Sequence, residues 1–105
     1  ILTNGFLKTQ EIKLENAGID KFFKRIFSSD ELGINKPHKE FFHWVVSSLH
    51  ANKKDCLMIG DDEKVDIGGA KNYGIDSVWF NSLDNSHSHR AIHTITDLAA
   101  LKSFL

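Results

Sequence analysis

The sequence predicts an α/β fold in which helices cover a parallel sheet, on three observations. Short apolar runs bounded by turn residues recur at 1–3, 56–59 and 77–80, as buried strands do. Segments with helical spacing lie between them, the clearest at 38–50. Strand and helix therefore alternate, which is the pattern of a parallel sheet with crossover helices. The 105 residues read as one domain, 1–105, with no repeat and no low-complexity tract.

The first strand, Ile1-Leu2-Thr3, ends at Asn4 and Gly5, both turn formers. Residues 9–17 make a weak helix closed by Gly18. Ile26-Phe27 is a fourth, shorter strand. Within 38–50, Phe41, Phe42, Val45, Val46 and Leu49 form one stripe, while His38, Lys39, Glu40, His43 and Ser47 face away. Pro37 precedes this helix near a first-turn position, where its missing N–H costs nothing. A helix from about Lys64 to Tyr73 follows the strand at 56–59 and stops at Gly74. Residues 82–90 (SLDNSHSHR) form a polar loop after the strand at 77–80. In the last ten residues Leu98, Leu101 and Leu105 share a helix face, with Thr96 as N-cap. The eight phenylalanines, Trp44 and Trp79 are assigned to the core, since nothing basic interleaves them.

Composition removes several function classes. Thirteen basic side chains stand against fourteen acidic ones, so there is no basic excess to neutralise nucleic-acid phosphates. No apolar run approaches the ~20 residues that span a bilayer, so no membrane partner is expected. Cys56 is the single cysteine, which excludes a disulfide framework; in its apolar run it reads as a buried thiol suited to a reducing cytoplasm. No signal-peptide pattern opens the chain. Ile1 starts inside a strand with no lead-in, and the only methionine is Met58, which predicts a cut end rather than a translated start.

Parallel sheets bind ligands beyond the carboxyl ends of their strands, so the polar residues there are the candidates. The segment 60–66, Gly60-Asp61-Asp62-Glu63-Lys64-Val65-Asp66, sets two adjacent carboxylates at a strand tip and a third four residues after Asp62. Such oxygens suit Mg²⁺, which takes one or two carboxylates with waters and substrate phosphate. They equally suit an acidic helix start that complements the helix dipole without metal. Gly60 allows a sharp turn and close approach of the backbone to a ligand. Lys36, between a loop and Pro37, is a point charge placed for a phosphoryl group or an ordinary solvated lysine. Thr3-Asn4-Gly5 offers a hydroxyl and successive N–H groups, an anion nest or a plain turn. His87 and His89 lack a third ligand nearby and read as a solvated loop. A serine hydrolase is not supported, because no G-x-S-x-G elbow is present.

Taken in order, ILTNG, GINKP and CLMIGDDEKVD resemble motifs II, III and IV of the haloacid dehalogenase superfamily, with the family's intervals of about thirty and twenty-five residues. TNGF, KLENAGI and GIDSVWFN look most like its pyrimidine 5′-nucleotidase group. The resemblance implies a Rossmann-like core and a Mg²⁺-dependent phosphatase of small phosphate monoesters, nucleoside monophosphates among them. It implies that Thr3 and the Asn4 amide hold the phosphoryl group and that Lys36 offsets its charge. Asp61 would bind Mg²⁺, Asp66 would hold a metal water or orient Lys36, and Asp62, where relatives often have serine, would be a further or outer ligand.

The family's motif I, a D-x-D that carries the nucleophile, is absent, as is the cap that follows it. The resemblance therefore implies the C-terminal part of such a core, lacking the central strand between 1–3 and 56–59 and inert alone. The expected partner is the missing N-terminal half of the same protein or a strand-swapped copy; direct pairing of 1–5 with 56–60 is the remaining option. Two other activities stay open: a metal-independent 2-haloacid dehalogenase, and a non-catalytic phosphate- or Mg²⁺-binding α/β module. A receiver module would need an acidic pair at the end of its first strand, and ILTNG has none.

Overall fold

A computed structural model describes residues 1–83 and 86–105; Asp84 and Asn85, in the predicted 82–90 loop, lie outside the described residues. The strands are β1 (Leu2–Thr3), β2 (Phe27–Ser28), β3 (Leu57–Gly60), β4 (Asp76–Phe80) and β5 (His93–Ile95). They form two parallel sheets, β1-β2 and β3-β4-β5. Leu2 lies opposite Phe27, and Gly60 lies opposite Trp79. β1 and β3 are not paired, so direct pairing of 1–5 with 56–60 is not what the structure shows. A cavity of about 190 Å³ opens between them, with Leu2 on one side and Leu57 and Met58 on the other.

The α-helices are α1 (Leu7–Ala17), α2 (Ser29–Leu32), α3 (Lys39–Ser48) and α4 (Gly68–Tyr73). α3 follows its predicted stripe: Phe41, Phe42, Val45 and Val46 are all buried. Leu49 does not join them, and this is a correction. It lies just past the helix end at the rim of the cavity, where no strand covers it, and is 49% exposed. Phe41, Val45 and Phe27 form one apolar cluster; Phe42, Met58, Ala70 and Ile75 form another. Leu2 packs against both, so β1 is the seam between the two halves. The ring of Trp44 meets Phe27 edge-on at 5.1 Å, a favoured aromatic geometry.

Several local expectations are revised by contacts from distant segments. α1 begins at Leu7 rather than residue 9, because the Asp30 carboxylate accepts from the Leu7 amide at 3.2 Å. β2 is shifted one residue toward α2, which a Ser28–Glu31 capping box starts. The helix expected over 64–73 is split into a π-helical turn at Glu63–Ile67 and then α4. Its end at Gly74 is as expected, with φ of 104°. The last segment is a 3₁₀ helix, Leu98–Ser103, capped by Asp97 and not Thr96. The Asp97 carboxylate accepts from the Ala99 amide at 2.9 Å, and Leu98 and Leu105 stay exposed. Cys56 is only half-buried, since it too borders the cavity, and its thiol donates to the Asn52 carbonyl. Phe6, Phe22, Phe23 and Phe104 are exposed, contrary to the assignment of all eight phenylalanines to the core, and Phe27, Phe41 and Phe42 are the fully buried rings. Among the described residues no helix is long and apolar enough to cross a membrane.

Candidate functional site

Three chain segments meet where β1 and β3 end. β1 delivers Thr3 and Asn4, the loop after Gly33 delivers Lys36, and the π-helical turn after β3 delivers Asp66. Lys36 lies across the junction. Its ammonium donates to Asp66 Oδ1 at 2.6 Å and to the Leu2 carbonyl at 3.1 Å. Both side chains are 8% exposed, which makes this a buried ion pair rather than a solvated loop lysine. A buried charge needs a partner and further hydrogen bonds to be tolerated, and the Leu2 carbonyl and the Asp62 amide supply them.

The π-helical turn explains how Asp66 reaches this place. The amides of Asp66 and Ile67 both donate to the Asp62 carbonyl, at 2.9 and 3.2 Å. That wider turn carries the Asp66 side chain back over the strand end, where Oδ2 accepts from the Asp62 amide at 3.2 Å. π-Helical turns of this kind are frequent at functional sites. Gly60 is required by this arrangement, not by a left-handed backbone. A Cβ there would lie 2.4 Å from Asp66 Oδ2 and 2.5 Å from Asp66 Cβ.

The other candidates are arranged around the pair. Thr3 Oγ1 accepts from the Gly5 amide at 2.9 Å, which fixes the hydroxyl and leaves its proton for an external acceptor. The Asn4 carboxamide exchanges two hydrogen bonds with the Lys36 main chain, at 2.9 and 3.0 Å. Asp62 Oδ1 accepts from the amides of Lys64 and Val65 and so caps the turn, the helix-start role described above. Asp61 is exposed, and its carbonyl is held by the Trp79 indole N–H at 3.0 Å. Glu63 ties the next loop to this end of the sheet through Ser88 at 2.8 Å and Arg90 at 3.4 Å.

The structure thus brings Asn4 and Asp66 each into direct contact with Lys36, with Thr3 beside Asn4 at the end of β1. Among the described residues, no group of three His, Cys, Asp or Glu side chains is poised to hold a metal ion, so Asp61, Asp62 and Asp66 are not a ready cluster. Asp66 is engaged by Lys36 and Asp62 by the turn. Among the described residues none engages the Asp61 carboxylate, which fits one position of a hydrated Mg²⁺, an ion that needs only one or two protein carboxylates. His87 and His89 are exposed, as a solvated loop requires. Two participants escaped the sequence reading: the Leu2 carbonyl and the Asn4 side chain. Neither carries a local signal, because each meets Lys36 across more than thirty residues of chain.

The family model for haloacid dehalogenase-like hydrolases matches residues 1–80. Pyrimidine 5′-nucleotidase YjjG of Escherichia coli is 34% identical over 83 residues, 78% of this chain and 37% of that protein. Glyceraldehyde 3-phosphate phosphatase of Pyrococcus furiosus is 33% identical over 110 residues, 100% of this chain and 46% of that protein. The crystal structure of YfnB from Bacillus subtilis bound to magnesium superposes with a TM-score of 0.91 at 34% identity, over 100% of this chain and 46% of that one. The chain therefore spans less than half the length of these relatives, and it belongs to the haloacid dehalogenase-like hydrolases.

Proposed function

We propose that this chain is the cationic, metal-facing part of a Mg²⁺-dependent phosphatase of small phosphate monoesters, nucleoside monophosphates among them, working in the reducing cytoplasm. The observation that carries the reading is the buried Lys36–Asp66 pair at the junction of the ends of β1 and β3, two strands that do not pair with each other. A cation fixed in a low-dielectric site, before any substrate arrives, stabilises charge that develops during phosphoryl transfer at no reorganisation cost. The Thr3 hydroxyl and the Asn4 amide would donate to the phosphoryl oxygens, and Asp66 would orient Lys36. Asp61 would hold Mg²⁺, with Asp62 in the outer shell; the ion, when bound, neutralises phosphate charge.

Among the described residues, no carboxylate lines the slot between β1 and β3. The nucleophile would come from a strand seated in that slot, from the N-terminal half of the same protein or from a swapped copy. On this reading the 105 residues alone are inert. The names of two relatives, a nucleotidase and a sugar-phosphate phosphatase, support phosphate monoesters as the substrate class.

The test is a hydrolysis panel with the full-length protein: p-nitrophenyl phosphate, pyrimidine nucleoside monophosphates and 2-chloropropionate, with Mg²⁺ or with EDTA. Phosphate release that requires Mg²⁺ and is lost in Lys36→Met is the expected result. Chloride release indifferent to EDTA would replace this reading with a dehalogenase. Mg²⁺ binding with no turnover would replace it with a binding module.

A further inference from the structure

We propose that the Asn4 side chain is a positioning residue, a strap that fixes the Lys36 main chain and so sets where the ammonium stands. The kinetic consequence rests on the phosphatase reading above; the geometric one does not. Lys36 sits in an irregular loop between Gly33, with φ of 77°, and Pro37, which has no N–H to offer a neighbour. No helix or strand supplies partners for its main chain. The Asn4 carboxamide supplies both: Lys36 N–H donates to Oδ1 at 2.9 Å, and Nδ2 donates to the Lys36 carbonyl at 3.0 Å. One side chain thereby reproduces the two-bond pairing of a neighbouring strand.

The other end of the lysine is held by β1, the short strand just before Asn4. Its ammonium donates to the Leu2 carbonyl at 3.1 Å, two residues before Asn4. β1 therefore holds Lys36 at its charge and Asn4, the residue after β1, holds it at its main chain, while Asp66 adds the third point at 2.6 Å. Asn4 is itself anchored, because its carbonyl accepts from the Ser29 hydroxyl at 3.0 Å. The main-chain amide of Asn4, assigned above to the phosphoryl group, is a separate element that any residue at this position would keep. Substitution of the side chain separates the two roles.

Two variants of the full-length protein, Asn4→Ala and Asn4→Asp, form the test. Alanine removes the strap; aspartate keeps the acceptor for the Lys36 N–H but turns an oxygen toward the Lys36 carbonyl. In both, kcat is expected to fall about 100-fold, the scale of a catalytic group misplaced by about 1 Å. KM is expected to stay within about threefold, since binding is not what is lost. In lysine-labelled protein, the wild type should show a protected Lys36 ammonium resonance coupled to Asp66. Both variants should lose it while the rest of the spectrum is retained.

A folded variant that keeps the ammonium resonance overturns the proposal whatever its activity. So does unchanged kcat in a phosphatase that is otherwise active. If the full-length protein hydrolyses no phosphate ester, the phosphatase reading falls and the resonance alone decides the strap. If alanine does not fold, aspartate, close to isosteric, carries the test.

Discussion

Asp66→Asn is expected to lower the free energy of unfolding by about 3–5 kcal/mol, the cost of leaving one member of a buried ion pair without its partner. The asparagine keeps the shape of the side chain but not its charge. The Lys36 ammonium would then stay 8% exposed with only the neutral Leu2 carbonyl as a close acceptor. Lys36→Met combined with Asp66→Leu is expected to recover most of the loss, because removing both charges also removes both desolvation penalties. Urea unfolding of the full-length protein and the two variants measures this. A loss below about 1 kcal/mol for Asp66→Asn would put the pair among exposed, solvated salt bridges and contradict its burial. Recovery in the double variant would show that the pair is maintained at a structural cost, as expected of a charge fixed for the proposed function.

Phe41→Ala is expected to cost about 3–5 kcal/mol, the range for deleting a buried aromatic ring. Phe41 is 0% exposed and packs with Phe27 and Val45 beneath β1. Its ring also stands edge-on to Trp44 at 5.7 Å and to Phe42 at 6.2 Å, so the cavity left behind would be lined by stiff aromatic groups that collapse poorly. Phe22→Ala is the control: that ring is 73% exposed, and its loss should change stability by no more than about 0.5 kcal/mol. Equal effects at the two positions, in the same unfolding experiment, would show that α3 does not anchor the β1 half of the core.

What could be read from the sequence divides by the range of the interaction. The α3 stripe depends on spacing within one helix, and Phe41, Phe42, Val45 and Val46 fall where that spacing puts them. The alternation of strand and helix likewise gave the parallel order of β3 and β4. Leu49, one position beyond the end of α3, failed because it lies at the rim of the cavity between β1 and β3 and stays 49% exposed. Thr96 failed to cap because Asp97, the next residue, is the better acceptor for the first free amide. At the site, Lys36 and Asp66 were legible as residue types, and orientation of Lys36 by Asp66 was one of the two roles assigned to Asp66. The geometry was not legible. In the sequence Gly60 reads as permitting a sharp turn and close approach of a ligand; in the structure it is the Asp66 side chain that lies against it. The π-helical turn that places Asp66 has no periodicity to reveal it in five residues. The Asn4 carboxamide finds Lys36 across 32 positions, a pairing no window along the chain contains.

The central claim is that these residues hold the cation and a metal-facing carboxylate of a phosphoryl-transfer site whose nucleophile is delivered by a strand from elsewhere. Phosphate release from p-nitrophenyl phosphate in Mg²⁺ tests it most directly, with the 105-residue chain alone and then mixed with a separately produced N-terminal half ending its strand in D-x-D. The account predicts no turnover from the chain alone, turnover from the mixture, and its loss when Lys36→Met is introduced. Hydrolysis by the chain alone, or a mixture that associates yet stays inert, would contradict it.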